Sequence, residues 1–177
     1  MQPIWKTKSG MAEKENNRKY FNYRHQSARL KQVIDAGYYF EAMVIEDAII
    51  EDRLMSCLRH AFSMDPKELW HEFKPSGLGG KSDAVRKIMA GTLKSKNVKT
   101  LPEWLSQCFK DHFDEDVLNR LDKWRKDRND LTHDLMLSEI KVSALKKKVN
   151  DGYEIMKGIK SCTGKLIRAL NKQKAGI

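Results

Sequence analysis

The sequence predicts an all-α protein, a bundle of roughly five to seven helices. Apolar residues recur at three- and four-residue intervals through long segments, which is the periodicity of a helix with one packed face. No stretch of useful length alternates apolar and polar residues as a strand does, and no internal repeat is present. With 33% charged residues and only 4 prolines in 177, the composition suits long solvated helices. Short connections between such helices favour antiparallel neighbours.

Residues 1–24 read as a basic N-terminal arm (Lys6, Lys8, Lys14, Arg18, Lys19, Arg24) that enters a helix after Met11, and residues 25–177 as a single helical domain. From Ser27, Leu30, Val33 and Ile34 keep helical spacing, and Gly37 interrupts it. Tyr38 to Phe62 is the strongest helical segment. Val44, Ile45, Ala48, Ile49 and Met55 fall on one broad face, which Leu54 and Leu58 widen. Asp65-Pro66 starts a short helix, since proline suits the first turn. Lys74 to Lys81 reads as a loop, with Ser82 as the N-cap of a helix over Asp83 to Leu93. Pro102 opens a helix through Trp104, Leu105 and Phe109. Val117, Leu118, Leu121 and Trp124 form a run that stops at Arg128-Asn129, and Leu131, Leu135 and Met136 begin a new helix. The last pattern, from Val142 to near Leu170, carries Leu145, Val149, Tyr153, Met156, Ile159, Leu166 and Ile167. Gly152, Gly158 and Gly164 weigh against one unbroken rod, each by up to about 1 kcal/mol relative to alanine.

The formal charge is +10, from 34 Lys and Arg against 24 Asp and Glu, which points to nucleic acid or another polyanion as partner. Cys57, Cys108 and Cys162 are odd in number and widely spaced, against a disulfide framework or a structural zinc site. The first residues lack the apolar core of a signal peptide, and no apolar run is long enough to span a membrane. The expectation is a reduced, cytoplasmic protein without a membrane segment.

Two features carry chemistry. Asp47 and Glu51 are four residues apart and align with Leu54 and Leu58, so at least one carboxylate faces the packed side and needs a partner such as an arginine. The alternative is that Glu46, Asp47, Glu51 and Asp52 form a solvated face. The second feature is Lys123-Trp-Arg-Lys-Asp-Arg-Asn-Asp-Leu-Thr-His133. An arginine grips a phosphate bidentately, and a histidine changes charge near neutral pH. On an unbroken helix Arg128 and His133 point about 140° apart. They converge if the helix breaks at Asn129 or Asp130, both favoured N-caps, which puts His133 in a first turn whose free amides attract an anion. Arg125 and Lys126 lie beside the motif as RNA contacts, and Trp124 is either a stacking platform or core. The basic residues after Lys146 (among them Lys147, Lys148, Lys157, Lys165 and Arg168) either track a phosphate backbone or form a solvated face.

The sequence Arg128-Asn129-Asp-Leu-Thr-His133, at a junction late in a helical bundle, resembles the Arg-x4-His signature of the HEPN superfamily. The resemblance extends over roughly 28–170 and includes the Gly-Leu-Gly-Gly-Lys loop ending at Lys81. It implies a metal-independent endoribonuclease needing no cofactor, with His133 moving protons, Arg128 neutralising phosphoryl charge and Asn129 orienting Arg128. It also implies an acidic residue from an earlier helix, to be found among Glu46, Asp47 and Glu51, and a homodimer with a composite site. The implied setting is defence or growth arrest, as a toxin or abortive-infection component held by an antitoxin or other regulatory protein. One toxin branch carries a tyrosine two residues after the histidine, where this chain has Leu135. The rival reading is a non-catalytic helical module that binds RNA or a protein.

Other motifs fail on their own terms. Pro75 to Ser82 resembles the end of a phosphate-binding loop but has proline where glycine is required and no preceding strand. His71-Glu72 lacks the second histidine of a zinc-protease helix, and His25, His60 and His112 lack metal-ligand spacing.

Overall fold

The computed structural model describes residues 23–94, 96, 101–134 and 140–174. Seven α-helices and no strand lie among these residues: α1 (23–35), α2 (Tyr39–Phe62), α3 (Pro66–Glu72), α4 (Lys81–Met89), α5 (Glu103–His112), α6 (Glu115–Asp134) and α7 (Val142–Lys174). A 3-10 turn, Lys74–Ser76, follows α3. The all-α expectation holds. The basic arm lies outside the described residues except Tyr23 and Arg24, which are already helical.

Local signals act where the sequence places them. Gly37 ends α1 with a φ of 80°, a left-handed conformation that costs glycine little. Asp65 caps α3 in a capping box, accepting the Lys67 amide at 2.9 Å while Glu68 reaches back to the Asp65 amide. Ser82 is a correction. Gly80 holds the cap position, α4 begins at Lys81, and the Ser82 hydroxyl donates instead to Asp122 of α6 at 3.2 Å. The helix also ends at Met89, short of Leu93.

The core is built on α2 and α7, which share the most extensive contact in the molecule. Glu46 packs near Gly152, and Lys174 bonds the His60 carbonyl and the Ser63 hydroxyl, so these two neighbours run parallel. The third member, α6, runs antiparallel to both. Trp124 meets Lys148 and Gly152, and Val117 meets Gly158. Ile50, Leu54, Leu58, Leu118, Leu121, Ile159 and Leu166 are fully enclosed between these helices. Val44 and Ala48 depart from the expected face of α2. Both are exposed and line an open groove toward α1 with Tyr23 and Arg29.

The glycines do not break α7, which is helical over 33 residues. A β-carbon at Gly152 would stand 2.3 Å from a Glu46 oxygen and 2.7 Å from the Trp124 ring. The glycine is what lets three helices meet there, and that packing offsets its helical penalty.

Candidate functional site

The largest correction concerns the motif. No helix break occurs at Asn129 or Asp130: α6 is continuous from Glu115 to Asp134 and carries Arg128 and His133 together. Leu131 packs against the core, extending the Val117, Leu121, Trp124, Arg128 stripe by another turn. The Thr132 hydroxyl donates to the Arg128 carbonyl at 2.8 Å. Tertiary packing of this stripe outweighs the small preference of Asn and Asp for a cap. Leu135 and Met136, expected in a second helix, lie outside the described residues.

Arg128 and His133 therefore point about 140° apart within one chain. His133 is exposed in the last turn of α6 rather than in a first turn. At that position α6 offers a phosphate no free first-turn amides, contrary to the expectation.

Arg128 is turned toward α2, where its Nη1 lies 2.7 Å from Asp47 Oδ2. Its Nη2 donates to Asn129 Oδ1 at 3.2 Å, and its guanidinium carbon is 5.4 Å from the centre of the Trp124 ring. Arg125 donates from Nε to Asp47 Oδ1 at 2.9 Å and pairs with Glu51 through Nη2. Lys81, at the start of α4, pairs with the other Glu51 oxygen. The result is a continuous ionic chain, Arg128–Asp47–Arg125–Glu51–Lys81, tying α6 to α2 and α4 with three cations against two carboxylates. Each side chain is roughly a fifth to a third exposed, so the pairs are shielded in part from water.

Among the three carboxylates left open by the sequence, Asp47 is the one that holds Arg128. Glu51 supports Arg125, and Arg125 is engaged by both carboxylates, which leaves Lys126 as the exposed member of the two RNA contacts read beside the motif. Glu46 does not join the network. It is fully buried against Trp124 and Gly152, and neither oxygen has a hydrogen-bond partner among the described residues. Burial pushes its carboxyl up to about 9, so it is a neutral acid at pH 7. The alternative of a solvated acidic face is thereby excluded for Glu46, Asp47 and Glu51. Trp124 is core: it is 2% exposed, and its indole donates to the Lys148 carbonyl at 2.8 Å.

Sequence reasoning missed Lys81 as a member of this network, because it closes a glycine-rich loop and gives no periodic signal. That loop also has the wrong polarity for a phosphate. The Lys87 ammonium bonds the Ser76 carbonyl at 2.8 Å and Asp83 at 2.9 Å, so the loop turns an oxygen inward to a cation rather than amides to an anion. Burial raises the Asp83 carboxyl, but the Lys87 ammonium and the Gly79 amide outweigh it and hold Asp83 below its ordinary value.

Among the described residues no three His, Cys, Asp or Glu side chains gather as a metal-binding group, and no helix is long and apolar enough to cross a membrane. All three cysteines are free, and burial raises the Cys57 thiol. No protein-family model, curated protein or solved structure matches the chain.

Proposed function

We propose that this chain is a HEPN-like, metal-independent endoribonuclease that cleaves RNA by 2′-OH attack. The observation that carries the reading is the Arg128–Asp47 pair: the motif arginine is oriented by a carboxylate from the long second helix, with Asn129 on its guanidinium and an exposed His133 on the same helix. In the reaction a base removes the 2′-hydroxyl proton, and the 2′-oxygen bonds to phosphorus. The bond to the 5′-oxygen breaks, and that oxygen takes a proton from an acid. Arg128 neutralises charge on the non-bridging oxygens.

The two proton transfers fall on opposite sides of phosphorus. Since Arg128 and His133 diverge on one helix, a two-fold dimer is the economical arrangement, giving each phosphate two copies of His133 from opposite directions. The setting is cytoplasmic defence or growth arrest, with an antitoxin or similar protein in control. One observation favours the rival, a non-catalytic RNA-binding or adaptor module: Asp47 and Glu51 already neutralise Arg125 and Arg128.

Purified protein is expected to cut RNA in EDTA, leave 2′,3′-cyclic phosphate ends and spare DNA of the same sequence. Arg128→Ala and His133→Ala should each lower cleavage on the order of a hundredfold or more. Both should keep full helical content, since His133 is exposed and Arg128 lies at the edge of the core. Undiminished cleavage by either variant, or dependence on Mg²⁺, would falsify this mechanism.

A further inference from the structure

A second feature lies on the opposite flank of α6 from His133. There α6 and α7 enclose a cleft of about 380 Å³. Arg120 and Lys123 stand on the α6 wall, Lys147 and Lys148 on the α7 wall. Asp127 and Asp151 are the carboxylates lining it, and Asp127 is paired with Lys148. Arg120 is 4.0 Å from Asp116 at the rim. Lys123 and Lys147 are exposed and have no ion-pair partner among the described residues. The floor, Trp124 and Ile155, is apolar and 2–3% exposed, so a bound anion would rest on a low-dielectric surface that strengthens its attraction to the lysines.

The surroundings extend the same field. From Val142 to Lys174, α7 carries nine basic residues against two acidic ones, Asp151 and Glu154. Glu154 is paired with Lys157 at 2.8 Å. Lys146, Lys157, Lys165, Arg168 and Lys172 are exposed on the outward side of that helix. By contrast, the cations beside the motif, Arg125 and Arg128, face carboxylates. Beside the motif that leaves Lys126 exposed, whereas the larger group of exposed cations is on the α6–α7 side.

We infer that this cleft holds a backbone phosphate of single-stranded RNA, gripped by Lys123 from one wall and Lys147 from the other, with the strand continuing along α7. At about 380 Å³ the cleft has the volume of a small-ligand site, which suits one sugar–phosphate unit rather than a stretch of duplex. Lys123 precedes Arg128 by five residues and His133 by ten, about 7.5 Å and 15 Å along the helix. A phosphate in the cleft is thus a few nucleotides from one at the motif. The inference extends the ribonuclease reading by naming where the substrate is held, but the binding does not require cleavage.

The test uses a fluorescent 2′-O-methyl oligouridylate, which lacks the nucleophile and cannot be cut, with anisotropy measured over a range of salt. Lys123→Gln/Lys147→Gln is expected to weaken binding at least tenfold and to reduce the logarithmic salt slope by about 0.7, from the loss of the one phosphate contact that the two lysines share. Lys165→Gln/Lys172→Gln removes the same charge away from the cleft and should change affinity less than threefold. Lys123→Glu alone should exceed the effect of Lys123→Gln. Equal loss in both double variants would mean bulk charge attraction and overturn the inference, as would no loss in the cleft variant. So would absence of oligonucleotide binding with cleft-dependent capture on anionic lipid vesicles. Cleft-dependent binding without any cleavage of ordinary RNA would leave this inference standing and defeat the ribonuclease reading. Cleavage with a cleft-independent affinity would do the reverse.

Discussion

Glu46 and Asp47 are consecutive carboxylates on one helix and belong to opposite regimes. Asp47 faces the seam between α2 and α6, where Arg125 and Arg128 satisfy both its oxygens. Glu46 faces the seam with α7, where it meets an indole ring and a glycine. One step along a helix rotates a side chain by about 100°, enough to exchange two guanidinium groups for an apolar wall. The first acid is paired with two guanidinium groups. The second keeps its proton, because ionising there forfeits hydration without gaining a counter-charge. The ionic seam positions the motif; the neutral seam sets how closely α2, α6 and α7 approach.

The largest expected effect comes from removing the neutral acid. Folded Glu46 stays protonated to about pH 9, whereas in the unfolded chain it releases its proton near the ordinary value of 4.5. Between those values the unfolded state binds fewer protons, so stability falls as pH rises, by about 1.4 kcal/mol per pH unit. By pH 7 that cost is roughly 3 kcal/mol. Glu46→Met, close in shape and without charge, should therefore be more stable than the native chain, with a gap that widens from pH 5 to pH 8 in urea titrations. Parallel stability curves for the two proteins would mean that Glu46 finds a partner.

Gly152→Ala probes the same seam by volume. The added methyl would meet the Glu46 oxygen at 2.3 Å and the rigid Trp124 ring at 2.7 Å. A loss of about 2 kcal/mol is expected, from overpacking that outweighs the helical gain of alanine. Adding Glu46→Ala should recover only part of it, since the ring remains. A thermal midpoint at or above the native one in Gly152→Ala would show that α7 is free to shift away.

The ionic seam should respond least. A double-mutant cycle of Arg128→Ala with Asp47→Asn is expected to give a coupling of about 1 kcal/mol, the scale of a partly exposed pair, and to shrink with added salt. Additive single effects would mean that Asp47 does not hold Arg128 in solution.

Much of this was legible in the sequence where the signal is local. The capping box at Asp65 and the end of α1 at Gly37 follow from chemistry within one turn. The alignment of Asp47 and Glu51 with Leu54 and Leu58 was enough to raise a cationic partner as one of two readings, beside a solvated face. It was not enough to choose among Glu46, Asp47 and Glu51, because that depends on how α2 is rotated against α6 and α7. The expected break at Asn129 failed for a related reason. Capping by Asn or Asp is typically worth about 1 kcal/mol, and burial of the stripe through Leu131 outweighs it. Ser82 lost its capping role to Gly80 when Asp122 of α6 came within its reach.

The sequence by itself determined that the chain is helical, where most helices lie and which faces are apolar, since a 3.6-residue period is written in neighbours a few positions apart. Only the tertiary structure decided that Asp47 takes Arg128, that Glu46 is buried alone, that Arg128 and His133 share one rod, and that open positive charge gathers between α6 and α7. Those outcomes rest on the rotational phase of helices brought together from distant parts of the chain, and residue spacing within one helix carries no information about the phase of another.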